Sequence, residues 1–206
     1  MDADTQTRFH RMYFRGNTWQ RTTYFGVPTQ KCPLDLWIYQ EIITKLRPDL
    51  IIETGTHLGG SALFMAHLLD QLDHGELITI DIKKRECPQH ERITYLQASS
   101  VSELATKNVQ KRARGLARIM VVLDSAHNRS HVKQELHLYA KLVRPVGSYL
   151  IVEDTNHSLV RQPSSENNPA TAVANFLNTT TDFLPDKSCE KHYLTFNPGG
   201  YLKRIK

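Results

Sequence analysis

Two apolar segments of this sequence each end in acidic residues. Asp124 follows the run Arg118–Leu123, and Glu153 and Asp154 follow Ser148–Val152. If the two runs are neighbouring parallel strands, the three carboxylates meet at one sheet edge and repel each other unless a cation or protons intervene. Oxygen ligands suit a hard divalent cation such as Mg²⁺. We therefore predict a metal site at Asp124, Glu153 and Asp154; alternatively, one or two of them are helix caps or loop anchors.

A histidine lies in the loop beside this proposed metal site. His127 stands three residues after Asp124. The ordinary pKa of an imidazole, near 6.5, suits a group that takes a proton near neutral pH. We predict that His127 is a general base, and the alternative is a surface or capping histidine.

A glycine-rich turn follows the first apolar run, Leu50–Glu53. Glycines let the backbone bend sharply and let a ligand approach, and the helix start behind them favours anions. The spacing is neither the dinucleotide fingerprint nor a P-loop. An acidic residue followed by Gly-x-x-x-Gly-Gly is closer to the nucleoside-binding loop of S-adenosylmethionine (SAM) methyltransferases, although a turn without a ligand has the same composition. The residues predicted to contact SAM here are Glu53, Gly55, Thr56, Gly59, Gly60 and Ser61.

Polar residues also end the next two predicted strands. Asp81 stands about 20 residues beyond the glycine turn, where a carboxylate can accept both ribose hydroxyls of a nucleoside; the alternative is a helix or turn cap. Ser99 and Ser100 follow the run Ile93–Gln97. They border an adenine or serve as helix N-caps, and the sequence leaves both interpretations open.

The elements that must position these residues alternate between strand and helix patterns. This alternation predicts a doubly wound α/β sheet with ligands outside the carboxyl ends of the strands. We expect an irregular arm over residues 1–30 that packs onto the domain or onto a partner subunit, a loop over 156–169 that is a lid or a disordered segment, and an antiparallel hairpin within 188–205. The predicted strands are 50–53, 77–82, 93–97, 118–123 and 148–152, and the predicted helices are 33–46, 61–72, 101–112, 131–142 and 170–177.

Composition limits the class of protein. At 206 residues with a net charge of +5, the chain fits one globular domain. The densest basic stretch, Lys107–Arg118, lacks the aromatic residues expected of a nucleic-acid groove. No apolar run is long enough to span a membrane, and the N-terminus lacks a secretory signal. Cys32, Cys87 and Cys189 fit neither a disulfide framework nor a zinc site, so we expect a cytoplasmic protein.

Several motifs together resemble the cephalosporin hydroxylase/rhamnosyl O-methyltransferase family. The resemblance implies a class I SAM-dependent methyltransferase fold with sheet order 3-2-1-4-5-7-6, strand 7 antiparallel, after an N-terminal helical extension. It implies a divalent metal on Asp124, Glu153 and Asp154, a base at His127, and SAM contacts from Glu53, the glycines, Asp81 and Asp124. The matching pieces are 26–28, 34–43, the glycine turn, Asp124–His127, 147–155 and 194–203.

The resemblance has one clear departure. The family's loop after Glu-Asp-Thr is usually rich in glycine and proline, whereas here it reads Asn156–Pro169. This loop would cover the acceptor, so the motifs do not identify the substrate. We divide the chain into an arm, 1–33, and a methyltransferase domain, 34–206.

The function expected from these motifs is Mg²⁺- and SAM-dependent O-methylation of a hydroxyl on a sugar, glycolipid or natural-product scaffold. We expect a small-molecule or glycoside acceptor, no nucleic acid, no membrane span and a homo-oligomer. One alternative is a non-catalytic SAM-binding subunit of a biosynthetic complex. Another is a nicotinamide-dependent oxidoreductase, against which the missing Gly-x-Gly-x-x-Gly argues.

Overall fold

The computed structural model describes residues 2–161 and 165–206. A seven-stranded sheet has the order β5-β4-β3-β6-β7-β9-β8, and β9 runs antiparallel to β7 and β8. Counted within the sheet, this is the predicted order 3-2-1-4-5-7-6, so the predicted topology is confirmed. In chain order the strands are β1 (Thr23–Tyr24), β2 (Val27–Pro28), β3 (Leu50–Thr54), β4 (Glu76–Asp81), β5 (Ile93–Gln97), β6 (Ile119–Leu123), β7 (Tyr149–Val152), β8 (Phe183–Pro185) and β9 (Tyr201–Arg204).

Helices cover both faces of the sheet. Strand residues that point to one face pack with α4, α5 and α7, and their neighbours on the other face pack with α2 and α3. Strands β3 and β6 are buried at every residue, which explains why β6 and the first three residues of β3 are continuously apolar rather than alternating. The helices are α1 (Ala3–Arg15), α2 (Pro33–Leu46), α3 (Gly60–Gln71), α4 (Glu103–Arg112), α5 (Arg129–Tyr139), α6 (His157–Val160) and α7 (Pro169–Leu177).

Register at the centre of the sheet decides where the acidic residues lie. Leu123 pairs with Val152, so Asp124 and Glu153 leave adjacent strands at the same level. The backbone N–H of Asp124 donates to the carbonyl of Thr54 at 2.9 Å, and that of Glu153 donates to the carbonyl of Leu123 at 3.0 Å. The carboxyl ends of β3, β6 and β7 are therefore fixed against each other by the ladder itself.

The opposite end of the sheet is held by Asp49, which precedes β3. Its Oδ2 accepts the backbone N–H groups of Ala117 and Arg118 at 2.8 and 2.7 Å. Its Oδ1 lies 2.8 Å from Nε2 of His74 and accepts from the guanidinium of Arg118 at 3.1 Å. One carboxylate thus joins the starts of β3 and β6 to the turn before β4.

The N-terminal arm is helical where we predicted an irregular segment. Asp2 caps α1 by accepting the N–H of Thr5 at 2.9 Å. Phe14 and Trp19 pack with Phe196 of the C-terminal segment, at ring distances of 5.5 Å. The prediction was wrong because α1 is polar on most of its surface and has no long apolar stripe.

The predicted hairpin within 188–205 is also wrong. The antiparallel partners of β9 are β7 and β8, which both lie upstream of that range, and 187–190 forms a 3-10 turn. The segment before β9 is held instead by the buried carboxylate of Asp35, which accepts from the N–H of Phe196 and the hydroxyl of Tyr201, both at 2.8 Å. Side-chain anchoring of this kind leaves no periodic pattern in the sequence.

Three other expectations concern the cysteines, a membrane span and the loop 156–169. All three cysteines are free thiols. Among the described residues, no helix has both the length and the apolar character needed to cross a membrane. The predicted loop 156–169 contains the short helix α6, and its residues 162–164 lie outside the described part of the chain.

Candidate active site

A cavity of about 370 Å³ opens at the carboxyl ends of β3, β6 and β7. It brings together most of the residues singled out from the sequence. Segments before α2 and after β7 close its sides. Its walls include Gly55, Thr56, Gly60, Ser61, Asp81, Asp124, His127, Glu153 and Asp154, together with Trp19, Pro28–Lys31, His57, Lys83, Arg85, Arg161 and Phe196.

The glycine turn needs glycine for two separate reasons. Gly55 has a φ of +90°, and a Cβ there would lie 1.9 Å from the carbonyl oxygen of Asp124. Gly60 begins α3 directly beneath β2, where a Cβ would lie 2.5 Å from the carbonyl oxygen of Pro28. The turn therefore packs against both β6 and the N-terminal segment while its residues line the cavity.

Glu53 and Gly59 lie behind this surface rather than on it. The carboxylate of Glu53 is fully buried and accepts the hydroxyls of Ser61 and Thr79, both at 2.6 Å. Gly59 faces Pro88 and the end of β5. Glu53 thus acts on the cavity through Ser61, which differs from the direct cofactor contact predicted for it.

Asp81 combines the two roles that the sequence left open. Its carboxylate accepts the backbone N–H groups of His57 and Lys83, both at 2.9 Å, and so caps two turns. It also lines the main cavity and two smaller neighbours. Because each carboxylate oxygen has two lone pairs, Asp81 keeps acceptor capacity for a ligand.

A narrow slot of about 110 Å³ continues from Asp81 between β4 and α5. Ser99 and Ser100 line it, and the hydroxyl of Ser100 lies 3.0 Å from Nε2 of His131. The N-cap of α4 is Ser102, which accepts the N–H of Ala105 at 3.2 Å. Neither predicted serine is therefore the helix cap.

A buried lysine lies between two of the three predicted metal ligands. The ammonium of Lys31 contacts Oδ2 of Asp124 and lies 2.6 Å from Oε1 of Glu153. Burial lowers the pKa of Lys31, but the charges of Asp124 and Glu153 outweigh it and raise that pKa. The hydroxyl of Tyr39 donates to Glu153 at 2.5 Å. Lys31 therefore supplies a cation to this corner of the cavity.

The third acidic residue faces two imidazoles. Oδ2 of Asp154 lies 2.6 Å from Nδ1 of His127 and 3.2 Å from Nε2 of His157. Among the described residues, neither ring nitrogen has a partner with good hydrogen-bond geometry. The two rings stack at 5.1 Å, and Nε2 of His127 lies 3.6 Å from Asp124.

The pKa values of Glu153 and Asp154 are shifted in opposite directions. Burial and the neighbouring Asp124 raise the pKa of Glu153 to about 8. Burial would raise the pKa of Asp154 as well, but its contacts with His127 and His157 hold that pKa below the ordinary range. Burial lowers the pKa of His127, and the close approach of Asp154, with the charges of Asp124 and Glu153, raises it to about 9.

The donor set fits a divalent cation. Carboxylate oxygens from two adjacent strands and the imidazole of His127 line one cavity, next to a turn suited to a nucleoside. The buried Nε2 of His157 lies 3.2 Å from the carboxylate of Asp154 in that wall. Sequence reasoning missed Lys31, which precedes α2, and His157, which lies in the segment 156–169 that we expected to cover the acceptor without choosing a site residue from it. The available signal at Lys31 was its type, since lysine is almost never fully buried unless it is paired.

The family follows from a comparison with known sequences. The profile of the Rhamnosyl O-methyltransferase/CmcI family matches residues 16–205. This chain belongs to that family. The match covers every strand of the sheet and every predicted site residue, so the resemblance proposed from the motifs is confirmed.

Curated relatives carry the same family name. The rhamnosyl O-methyltransferase of Mycobacterium tuberculosis (strain H37Rv) is 33% identical over 157 residues, which cover 72% of this chain and 62% of the relative. The chain thus spans less than two thirds of that relative's length. The rhamnosyl O-methyltransferase of Mycobacterium leprae is 29% identical over 206 residues, covering 95% of this chain and 89% of the relative.

Solved structures show the fold. CmcI with Mg and SAM is 19% identical, with a TM-score of 0.72 over 91% of this chain and 78% of that one. MycE methyltransferase from the mycinamycin pathway, with Mg and SAH, is 18% identical, with a TM-score of 0.52 over 68% of this chain and 38% of that one. The family's fold here is thus the Rossmann-like sheet of class I methyltransferases.

Proposed function

We propose that this chain is a SAM-dependent O-methyltransferase that uses a divalent cation and acts on a sugar hydroxyl. The observation that carries the proposal is one shared cavity, which joins a nucleoside-type glycine turn to a cluster of carboxylates and imidazoles. The rhamnosyl O-methyltransferase relatives favour a glycoside acceptor. The CmcI structure with Mg and SAM favours both cofactors.

The donor half of the cavity would hold SAM. Asp81 has free acceptor capacity for the ribose hydroxyls, and the slot beside Ser99 and Ser100 adjoins it where an adenine would lie. Backbone groups of Gly55 and Thr56 would approach the ligand closely, because no side chain intervenes at Gly55.

The acceptor half would hold the cation and the reacting hydroxyl. Asp124, Glu153 and Asp154 are the proposed ligands. A divalent ion held by these residues would lower the pKa of the acceptor hydroxyl and orient it. Lys31 limits the charge repulsion between Asp124 and Glu153 while keeping both carboxylates turned into the cavity.

His127 is the proposed proton acceptor. Its imidazole lies between Asp124 and Asp154, within the cavity wall. Burial lowers the pKa of His127, and the contacts with Asp154 and Asp124 raise it. A bound cation that balances these acids would therefore favour the neutral ring, which accepts a proton.

A binding and turnover experiment tests the proposal. Calorimetry with SAM and with NAD separates a methyltransferase from an oxidoreductase, and transfer of a labelled methyl group to a rhamnosyl glycoside tests the acceptor. Asp124→Asn should abolish cation-stimulated turnover and leave the SAM affinity within about threefold, because its backbone contacts with the turn remain. Asp73→Asn, at a fully exposed carboxylate, is the matched control.

Three outcomes would count against parts of the proposal. Binding of NAD but not SAM would discard the methyltransferase. Full turnover in EDTA would discard the cation. Turnover that appears only with a partner protein would favour the accessory-subunit alternative.

The free thiols agree with the cytoplasmic location predicted from the sequence, and light scattering after size exclusion would test the predicted homo-oligomer.

A further inference from the structure

His157 is a buried histidine that the proposed reaction does not use. It is the first residue of α6 and is only 6% exposed. The edge of the Phe14 ring lies against it at 6.3 Å, and the His127 ring stacks on its other side. Its Nε2 lies 3.2 Å from Oδ2 of Asp154 but has no partner of good hydrogen-bond geometry among the described residues. A buried polar nitrogen that is poorly satisfied is costly, which points to a ligand here.

The distance from His157 to Asp154 matches two ligands of one ion. Metal bonds of about 2.1 Å place neighbouring ligand atoms about 3.0 to 3.4 Å apart, for octahedral and tetrahedral geometry respectively. Nε2 of His157 lies 3.2 Å from Oδ2 of Asp154. Nδ1 of His127, at 2.6 Å, is closer to Asp154 than this range and has the spacing of a charge pair.

Lys31 does not reach this half of the cluster. Its ammonium contacts Asp124 and Glu153, whereas, among the described residues, the ion-pair contacts of Asp154 are with the imidazoles of His127 and His157. Asp154 also has a positive φ of 56°, and its N–H donates to Oδ1 of Asn197 at 3.1 Å, which turns the carboxylate toward His157. An ion next to Asp154 and His157 therefore does not compete with Lys31.

We propose that His157 is a nitrogen ligand of the divalent ion in this chain, alongside Asp154. This inference deepens the proposed function, on which it rests for the identity of the site. Imidazole favours borderline transition-metal ions over Mg²⁺, which prefers oxygen ligands. The centre should accordingly select Co²⁺, Zn²⁺ or Mn²⁺ over Mg²⁺, while His127 stays free for proton transfer.

The test measures metal binding by the full chain in the presence of SAM. A second cluster, His67, Asp70 and His90, could also take a metal ion, so all proteins carry His67→Gln. Calorimetry with Co²⁺ and with Mg²⁺ compares the parent with His157→Leu, which fills the volume, and with His157→Gln, which keeps a polar group. His137→Gln, at an exposed histidine on α5, is the matched control.

We expect the parent to bind Co²⁺ at least about tenfold more tightly than Mg²⁺, and His157→Leu to weaken Co²⁺ binding about 10- to 100-fold with Mg²⁺ binding changed less than about threefold. Pulsed EPR of bound Mn²⁺ should show a ¹⁴N coupling that both His157 variants lose and His137→Gln keeps. Unchanged Co²⁺ affinity and an unchanged ¹⁴N coupling in both His157 variants would overturn the inference.

SAM binding separates this inference from the proposed function. If SAM binds and the His157 variants bind Co²⁺ as tightly as the parent does, the inference fails and the methyltransferase proposal stands. If SAM does not bind, the methyltransferase proposal fails, and the metal titrations still decide whether His157 is a ligand. Should His157→Leu fail to fold, His157→Gln carries the same comparison.

Discussion

The ammonium of Lys31 lies 2.6 Å from Oε1 of Glu153, and both side chains are only 5% exposed. Asp124 contacts the same ammonium from the adjacent strand. Carboxylates placed close together for a divalent ion must also be compatible with a stable fold when no ion is bound. Lys31 provides the counter-charge for that state, and it comes from the segment before α2, outside the sheet.

Replacing Lys31 should show how much the repulsion between Asp124 and Glu153 destabilises the fold. Lys31→Met removes the ammonium that lies between Asp124 and Glu153, so the repulsion between the two carboxylates is no longer balanced. Breaking a buried pair in this way costs about 3–5 kcal/mol of unfolding free energy. We expect that loss in EDTA, with partial recovery when Mn²⁺ or Mg²⁺ is added. Thermal and urea unfolding with and without the ion measure it.

The exposed residue Lys133 on α5 provides the control for this prediction. Lys133→Met should change stability by less than about 0.5 kcal/mol, with no dependence on the ion. Equal stability of Lys31→Met and the parent in EDTA would show that the Lys31 contacts contribute nothing to the ion-free fold.

The sheet and its acidic edge could be predicted because both follow from local sequence. Strands β3 and β6 are buried on two faces, so their apolar runs are unmistakable, and a residue such as Asp124 that ends a run must lie at the strand end. Parallel register then brings Asp124 and Glu153 together without any further information. The meeting of these two carboxylates at one sheet edge therefore follows from the order and the parallel register of the strands.

The partners of those carboxylates could not be predicted in the same way. Lys31 and Asp124 are 93 positions apart, and His157 begins a four-residue helix whose sequence has no periodic pattern. Glu53, the penultimate residue of β3, lies near the end of its strand much as Asp124 does, yet its side chain turns under the glycine turn toward Thr79. Whether a strand-end carboxylate faces a ligand or its own scaffold depends on side-chain packing, which spacing does not encode.

Gly55 offers a test of the contact between the glycine turn and β6. Gly55→Ala adds a Cβ that would lie 1.9 Å from the carbonyl oxygen of Asp124 at a backbone φ of +90°. The turn must shift, so we expect SAM affinity to fall by at least about tenfold and stability to fall by about 2–4 kcal/mol. Calorimetry and thermal unfolding measure the two effects.

A second glycine separates backbone strain from this clash. Gly115 also has a positive φ, of 75°, but nothing lies within 4 Å of a Cβ built there. Gly115→Ala should therefore cost only the strain of the left-handed conformation, about 1 kcal/mol, and should leave SAM binding unchanged. Similar losses of stability and SAM affinity in both variants would mean that the close approach of Gly55 to Asp124 adds nothing to the backbone strain.

His127 can be tested by kinetics once turnover is established. His127→Gln removes the proposed proton acceptor and should lower kcat about 10²- to 10⁴-fold, with SAM affinity held within about threefold. The pH dependence of kcat near neutrality should flatten in the same variant. His137→Gln is the control, and an unchanged pH profile in His127→Gln would place the base elsewhere.

Asp49 provides a stability prediction that is independent of the active site. Burial raises its pKa, but the backbone N–H groups of Arg118 and Ala117 and the side chains of His74 and Arg118 together lower it from an ordinary 3.8 to about 2. A lowered pKa means that the folded protein binds fewer protons than the unfolded chain between these values. The stabilisation is therefore complete above about pH 4 and disappears as the pH falls through 2.

Asp49→Asn should then lower the free energy of unfolding by about 1–3 kcal/mol at pH 7, because an amide replaces a carboxylate that accepts several charge-assisted hydrogen bonds. The difference from the parent should shrink as the pH is lowered from 4 to 2, since protonation removes the same charge from Asp49. Urea unfolding at a series of pH values measures it. Asp73→Asn, at the same end of the sheet and fully exposed, should show no such trend. A difference that stays constant down to pH 2 would mean that Asp49 acts through shape and not through its charge.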